Sequence, residues 1–444
     1  MRPPPSHRTL APGPLALPGG TADPGPGHAE PDSDDARAVA AAAAALTVHG
    51  LDDVRGNLTL PASGAHGTAV TWSSSRPDAI GPTGVVHRPA EGSGPESVRL
   101  TATVGRGETA AIRTFTASVR EEPRKEPFTA YVMSYFTGED TPDGEQIRMA
   151  LSVGEDPLHW QELNGGRPVL TSDVGTGGLR DPFVIRSPEG DRFFQIATDL
   201  RMYGEAGGSW DQVQRTGSRS VLVRESTDLA HWTDRRLVEV APATAGNAWA
   251  PEAYYDERLG SYVVFWASKI YPADDPEHTG STYNRMMYAT TRDFRTFGEP
   301  AVWHDPGYSV IDSTVLRHDG VHYRFTKDER TPSSDTPCSK FITVEKSGEL
   351  TSSAYEFVAD CVGRGTIERG EGPAVFASNT EAKWYLFIDE FGGRGYVPFE
   401  STDLDSGRWT ASTGHALPKG ARHGSVLPVT RGEYERLLET FAVG

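Results

Sequence analysis

From residue 180 onward, short apolar strands recur in this chain as a repeated unit. Each unit opens on a polar or ionisable residue placed against an apolar run: Arg180-Asp181-Pro182, Trp249-Ala250-Pro251-Glu252, Ile311-Asp312-Ser313, Glu371-Gly372-Pro373 and Arg422-His423-Gly424. After the first four openings comes a turn that often holds glycine, as in Ser187–Gly190 and His318–Gly320, and then an aromatic-rich strand such as Tyr262–Trp266 or Trp384–Ile388. A third strand runs into a Ser/Thr-x-Asp turn at Ser226–Asp228, Thr291–Asp293 and Ser401–Asp403. The openings lie roughly 50 to 70 residues apart, near the period of propeller blades. A propeller sets the first strand of every blade around one axis, so polar residues far apart in sequence are expected to converge at one end of it.

The segment before Asp181 supplies strands at Tyr131–Phe136 and Gln146–Leu151 that lack an inner partner. The run His423–Val429 at the other end of the chain is an inner strand without followers. Joining the two predicts that one blade is assembled from both ends, giving an all-β chain whose main domain is a five-bladed β-propeller. Upstream the pattern differs. Residues 1–34 are rich in Pro, Gly, Ala and Asp without periodicity and predict a disordered tail. The Ala-rich run 35–46 predicts a helix. Thr68–Ser73, Val85–Arg88, Val98–Val104 and Ile112–Val119 alternate as short strands. The expected organisation is a tail (1–34), a small β-sandwich with a leading helix (35–120), a charged Pro-punctuated linker (121–127) and the propeller (128–444).

Composition narrows the partners. The 444 residues carry a net charge of −18, which disfavours nucleic acid, whose phosphates need a basic footprint. No apolar run is long enough to cross a membrane. A neutral carbohydrate ligand fits, and a secreted monomer is expected, although the first residues lack the apolar stretch of a signal peptide. The two cysteines, Cys338 and Cys361, flank two strands almost symmetrically about a turn at Gly348. They would face each other across the open end of a hairpin, either as a disulfide or as two reduced thiols.

Asp181, Asp312 and Glu371 open three different blades. Acetal hydrolysis needs two carboxyl groups, one to donate a proton to the leaving oxygen and one to activate water. Three carboxyl groups around one narrow axis repel one another, which raises the pKa of at least one. Trp249 is the leading aromatic platform for a sugar face, with Phe136 and Phe183 behind it. Glu252 is a buried or substrate-binding carboxylate, and Arg394 could reach a sugar hydroxyl. His423 is either an axial functional residue or a satisfied core histidine.

The ordered set Asp-Pro, Trp-Ala-Pro-Glu, Ile-Asp, Glu-Gly-Pro and Arg-His-Gly resembles glycoside hydrolase family 43, over about residues 128–435. That resemblance implies an inverting glycosidase acting on arabinofuranosides or xylosides, with Asp181 as general base, Glu371 as general acid and Asp312 tuning and orienting the acid. It matches His423 to an axial histidine that sits near a calcium or sodium ion in many members; no cofactor is required for the chemistry itself. The segments Asn57–Pro61, Val70–Ser74, Gly84–Pro89 and Val98–Val104 resemble bacterial immunoglobulin-like modules. The expected activity is α-L-arabinofuranosidase, with β-xylosidase or another exo-glycosidase of the fold as the alternative, and a catalytically inactive carbohydrate-binding propeller as a third. A polysaccharide lyase would need a basic cluster near the openers to neutralise uronates, and this acidic chain is not expected to hold one.

Overall fold

The structure is a computed structural model that describes residues 33–205 and 208–442; the expected tail up to residue 32 lies outside them. The first element is α1 (Ser33–Ala45), two residues earlier than the Ala-rich run predicts because Asp34 and Asp35 favour the positive end of a helix. Four strands follow, β1 (Ser63–Gly64), β2 (Thr68–Ser74), β3 (Glu96–Arg106) and β4 (Thr109–Val119), paired in that order as one sheet.

The expected sandwich lacks its second sheet among the described residues. Val85–Arg88 makes only an isolated bridge, Val86 with Ile80. Pro82 and Pro89 flank the segment, and the Val86 N–H is taken by Asn57 Oδ1 at 2.9 Å, so no ladder extends from it.

Among the described residues, the strands from Phe128 onward form five four-stranded antiparallel sheets. In chain order the strands are β5 (Phe128–Phe136), β6 (Arg148–Val153), β7 (Asp156–Glu162), β8 (Arg180–Arg186), β9 (Phe193–Thr198), β10 (Ser220–Ser226) and β11 (Arg236–Glu239). They continue as β12 (Trp249–Asp256), β13 (Ser261–Lys269), β14 (Asn284–Thr291), β15 (Ala301–His304), β16 (Val310–His318), β17 (Val321–Asp328), β18 (Ile342–Ser347) and β19 (Glu356–Val362). The last are β20 (Glu371–Ala377), β21 (Trp384–Glu390), β22 (Gly395–Ser401), β23 (Thr410–Ala411) and β24 (Arg422–Thr430). A short helix α2 (Trp210–Thr216) interrupts the β9–β10 connection, and α3 (Arg431–Thr440) follows β24.

Four sheets are consecutive, β8 to β11, β12 to β15, β16 to β19 and β20 to β23. The fifth runs β24-β5-β6-β7, joining the last strand of the chain to three early ones. The first strands touch one another in a closed series, β8 with β12, β12 with β16, β16 with β20, β20 with β24 and β24 with β8. Between sheets lie apolar layers, such as Phe194, Tyr262 and Phe294 with ring centroids 4.3–5.4 Å apart. The aromatics after the Ser/Thr-x-Asp turns, Trp232, Phe297 and Trp409, belong to these layers.

The chain divides into two compact units. Of the described residues, one holds those up to Leu46 with Ala62–Val70 and Thr103–Arg113; the other holds Thr47–Pro61, Thr71–Ala102 and those from Thr114 onward. In the first, Arg106 pairs with Asp35 at 2.9 Å and Arg113 donates to the Ala43 carbonyl. In the second, Arg55 and Arg88 both bind Asp191, each at 2.8 Å, and Arg292 donates to the Leu58 carbonyl at 3.0 Å. These bonds hold Arg55, Leu58 and Arg88 within the larger unit. Cys338 and Cys361 form a disulfide beside the β18–β19 hairpin. No helix among the described residues is long and apolar enough to cross a membrane.

Candidate active site

All five sheets begin with the same irregularity. The first strand slips against its neighbour between Arg180 and Phe183, Trp249 and Glu252, Ile311 and Ser313, Glu371 and Ala374, and Arg422 and Ser425. Four of these bulges hold one residue in the left-handed region: Asp181 (φ 51°), Ala250 (φ 49°), Asp312 (φ 54°) and Gly372 (φ 50°). A bulge re-aims the side chains on either side of it, and aspartate tolerates this conformation better than most residues.

The bulges sort the openers into two tiers. The residues at the first position, Arg180, Trp249, Ile311, Glu371 and Arg422, all line one cavity of about 740 Å³. The residues at the second position are Asp181, Ala250, Asp312, Gly372 and His423, and the three ionisable ones meet in a cluster on the same cavity. His423 Nδ1 stands 3.3 Å from Asp181 Oδ1 and 3.8 Å from Asp312 Oδ2. Glycine is required at the fourth opening, because a Cβ on Gly372 would lie 2.4 Å from His423 Cγ.

The inner tier is an imidazolium between two carboxylates. Burial disfavours the His423 charge, but Asp312 and Asp181 outweigh it and push the pKa up to about 10. Burial likewise works against an ionised Asp181; the His423 cation and hydrogen bond, then Arg180 and Thr198, overcome it and hold Asp181 below the usual carboxylate range. Thr198 Oγ1 donates to Asp181 Oδ2 at 2.7 Å while accepting the Ala250 N–H at 2.7 Å. Asp312 goes the other way. Burial, with Glu371 and Asp181 nearby, raises it to about 6 despite His423 and Lys327, and its Oδ2 accepts the Gly372 N–H at 3.1 Å. Of the three, Asp181 is thus the firm anion.

The outer tier is a net of ion pairs around Glu371. Lys327 Nζ donates to Glu371 Oε2 at 2.7 Å and Arg422 Nη2 to Oε1 at 2.7 Å. Burial would raise Glu371, yet Lys327 and then Arg422 bring it down to about 2. Arg422 also donates from Nε to Asp389 Oδ2 at 2.9 Å and from Nη1 to Glu139 at 3.3 Å. Asp389 is fully buried and raised to about 6 by burial and by Glu371, against the pull of Arg422. Its Oδ1 has no partner.

Of the residues singled out in the sequence, Asp181, Asp312, Glu371, His423, Trp249 and Arg394 line the cavity. Arg394 is tied to Glu390 at 2.5 Å and to the Thr366 carbonyl at 2.9 Å. Three expected substrate contacts are not made available. Phe136 is 1% exposed, covered by the guanidinium groups of Arg180 at 4.7 Å and Arg422 at 5.4 Å. Phe183 sits beyond its bulge and packs in the apolar layer with Phe194 and Trp266. Glu252 is buried below the cavity, where burial lifts its pKa to about 8.

The sequence reading missed Thr198, Lys327 and Asp389. Each lies directly across the first hairpin from an opener, in the pairs Arg180–Thr198, Ile311–Lys327 and Glu371–Asp389. A polar residue closing the aromatic second strand was the available signal.

The residues around His423 do not fit a cation bound through Nδ1. That nitrogen is turned to Asp181 Oδ1 at 3.3 Å and Asp312 Oδ2 at 3.8 Å and is committed to those carboxylates. Among the described residues the only close group of three potential ligands is Cys338, Asp360 and Cys361, whose sulfurs are committed to the disulfide.

Comparison with known proteins places this geometry. An α-L-arabinofuranosidase of Bifidobacterium longum subsp. longum is 38% identical over 351 residues. Those residues cover 71% of this chain but only 32% of that protein, so the chain spans about a third of its curated relative. Among solved structures, an α-L-arabinanase of Cellvibrio cellulosa matches 65% of this chain and 93% of its own at 13% identity and a TM-score of 0.44. An α-L-arabinofuranosidase of Lactobacillus brevis matches 59% and 92% at 13% identity and a TM-score of 0.37; neither likeness is close enough to bear weight. The model of an atrophied bacterial Ig domain matches residues 39–122. Residues 126–435, which carry all five openers, match the model described as a probable glycosyl hydrolase domain, and the chain therefore belongs to that family, related to glycoside hydrolase family 43.

Proposed function

We propose that this chain is an inverting, exo-acting α-L-arabinofuranosidase, and that the five sheets whose first strands form the closed series are the blades of a five-bladed β-propeller. The observation that carries the reading is one cavity shared by an anion fixed by hydrogen bonds, Asp181, and a second carboxyl, Glu371, on a different sheet. An inverting hydrolase needs this pairing, with space for water between the two groups. The closed series of first strands supports the propeller. The arabinofuranosidase named above supports the choice of sugar, and the disulfide fits an oxidising, extracellular setting.

In this mechanism a terminal arabinofuranosyl unit enters toward the inner tier. Asp181, kept ionised by His423 and Thr198, takes a proton from a water that attacks the anomeric carbon. Glu371 donates its proton to the leaving oxygen. Since Lys327 and Arg422 hold Glu371 as a carboxylate in the empty site, it must leave the Lys327 ion pair and take up a proton as the substrate docks. Asp312, which accepts the Gly372 N–H beside Glu371, tunes and orients the acid.

The test is hydrolysis of aryl α-L-arabinofuranoside and aryl β-xyloside, with the first-formed anomer read by proton NMR. Release of arabinose as the β-anomer is expected. Release of xylose alone, retention of configuration, or no turnover of either substrate would refute the proposal.

A further inference from the structure

Trp210 is among the few large apolar side chains left exposed, at 43%, and it stands at the cavity lining rather than on a remote surface. Its orientation is fixed. The Arg180 guanidinium lies 5.2 Å from the ring centroid. Trp249 meets it edge to face, with centroids 6.1 Å apart and an interplanar angle of 86°. The helix that carries it is anchored: Arg215 donates to the carbonyls of His278 and Gly280 at 2.9 and 2.8 Å. One turn on from Trp210, Gln214 Oε1 accepts from the buried Asn284 amide at 2.9 Å, and both residues line the same cavity.

The two tryptophans therefore make a corner, with Trp249 half-buried and Trp210 open to solvent. In the exo reading a terminal sugar fills the end of the cavity beside Asp181 and His423, and the leaving group lies toward solvent, where the exposed Trp210 ring stands on the same cavity. Sugar rings present apolar C–H faces that pack on indole, while their hydroxyls seek amides such as Gln214 and Asn284. We propose that Trp210 forms the binding wall for the leaving group, and that this wall selects a sugar ring in that position over a small alcohol. This inference rests on the exo-glycosidase reading above.

Two substrates with alkoxide leaving groups separate the wall from the chemistry: methyl α-L-arabinofuranoside and an arabinofuranosyl-substituted oligosaccharide. In Trp210→Ala, kcat/KM on the oligosaccharide is expected to fall about 10- to 100-fold, mostly through KM, with less than about a threefold change on the methyl glycoside. Trp210→Phe should recover part of the loss. Equal losses on both substrates, or none on the oligosaccharide, would overturn the proposal. If the unaltered protein cleaves neither substrate, the enzymatic reading fails while the wall is still tested by calorimetric titration with the same oligosaccharide. Weaker binding by Trp210→Ala then supports Trp210 as the wall for the second sugar ring, and binding that is unchanged in Trp210→Ala, or undetectable in the unaltered protein, overturns it.

Discussion

Lys327 and Glu371 are joined by an ion pair of 2.7 Å between the second strand of one sheet and the first strand of the next. The lysine is 2% exposed and also holds Glu329 at 2.8 Å, so its charge is fixed where the proposed acid must work. An acid serves only while protonated, and the alkaline limb of kcat/KM follows its pKa in the free enzyme. A neighbouring cation lowers that pKa, so removing the cation raises it. Lys327→Met should therefore shift the alkaline limb upward by roughly 1–2 pH units, within the range of single-partner effects. The check is a pH profile on aryl α-L-arabinofuranoside; a limb that stays in place or moves down would argue that Glu371 is not the donor.

Asp181 has the complementary requirement, since a base must be free of its proton. Asp181→Ala should lower kcat by roughly 10²–10⁴-fold with the far-ultraviolet spectrum unchanged. Added azide should restore part of the turnover, because a small anion can occupy the space and attack the same face. Full activity in the variant would remove Asp181 from the chemistry.

The openers were legible because polarity at the head of an apolar strand is a local signal, repeated five times. The join of β24 to β5 was legible for the same reason: one set of strands lacked an inner partner and one inner strand lacked followers. Lys327, Thr198 and Asp389 were hidden because their meaning depends on register. Only the Ile311–Lys327, Arg180–Thr198 and Glu371–Asp389 pairings make them neighbours of the site. Phe183 misled for a similar reason, since the bulge at Asp181 turns the residues after it toward the layer between sheets. Val85–Arg88 has strand-like composition, but its prolines and the Asn57 side chain take the place of a ladder.

Gly372 tests the close packing at the axis. Ala250 and Asp312 carry side chains at nearly the same φ in the sister bulges, so what excludes one here is the 2.4 Å approach of His423 Cγ to a virtual Cβ. Gly372→Ala should cost about 1–3 kcal/mol, the usual range for overpacking a core. The readout is the urea midpoint at constant m-value. It should also lower activity, since His423 cannot move without releasing Asp181. A variant as stable as the parent would mean that the first strands are not held this tightly.

His423 couples the site to stability through pH. Its folded pKa, pushed up to about 10 mainly by Asp312 and Asp181 against the cost of burial, lies above the ordinary value of about 6.5. A group with a raised folded pKa stabilises the native state fully below its unfolded pKa, and that contribution is lost as pH rises through the folded one. The protein should therefore lose stability between about pH 6.5 and 10 as the unfolded chain gives up this proton before the folded one does. His423→Gln should be less stable near neutrality and show a flatter dependence across the same window. Urea unfolding at several pH values measures both slopes. Parallel slopes for parent and variant would mean that the imidazole between Asp181 and Asp312 is neutral, and the case for Asp181 as an anion held ready for water would lose its main support.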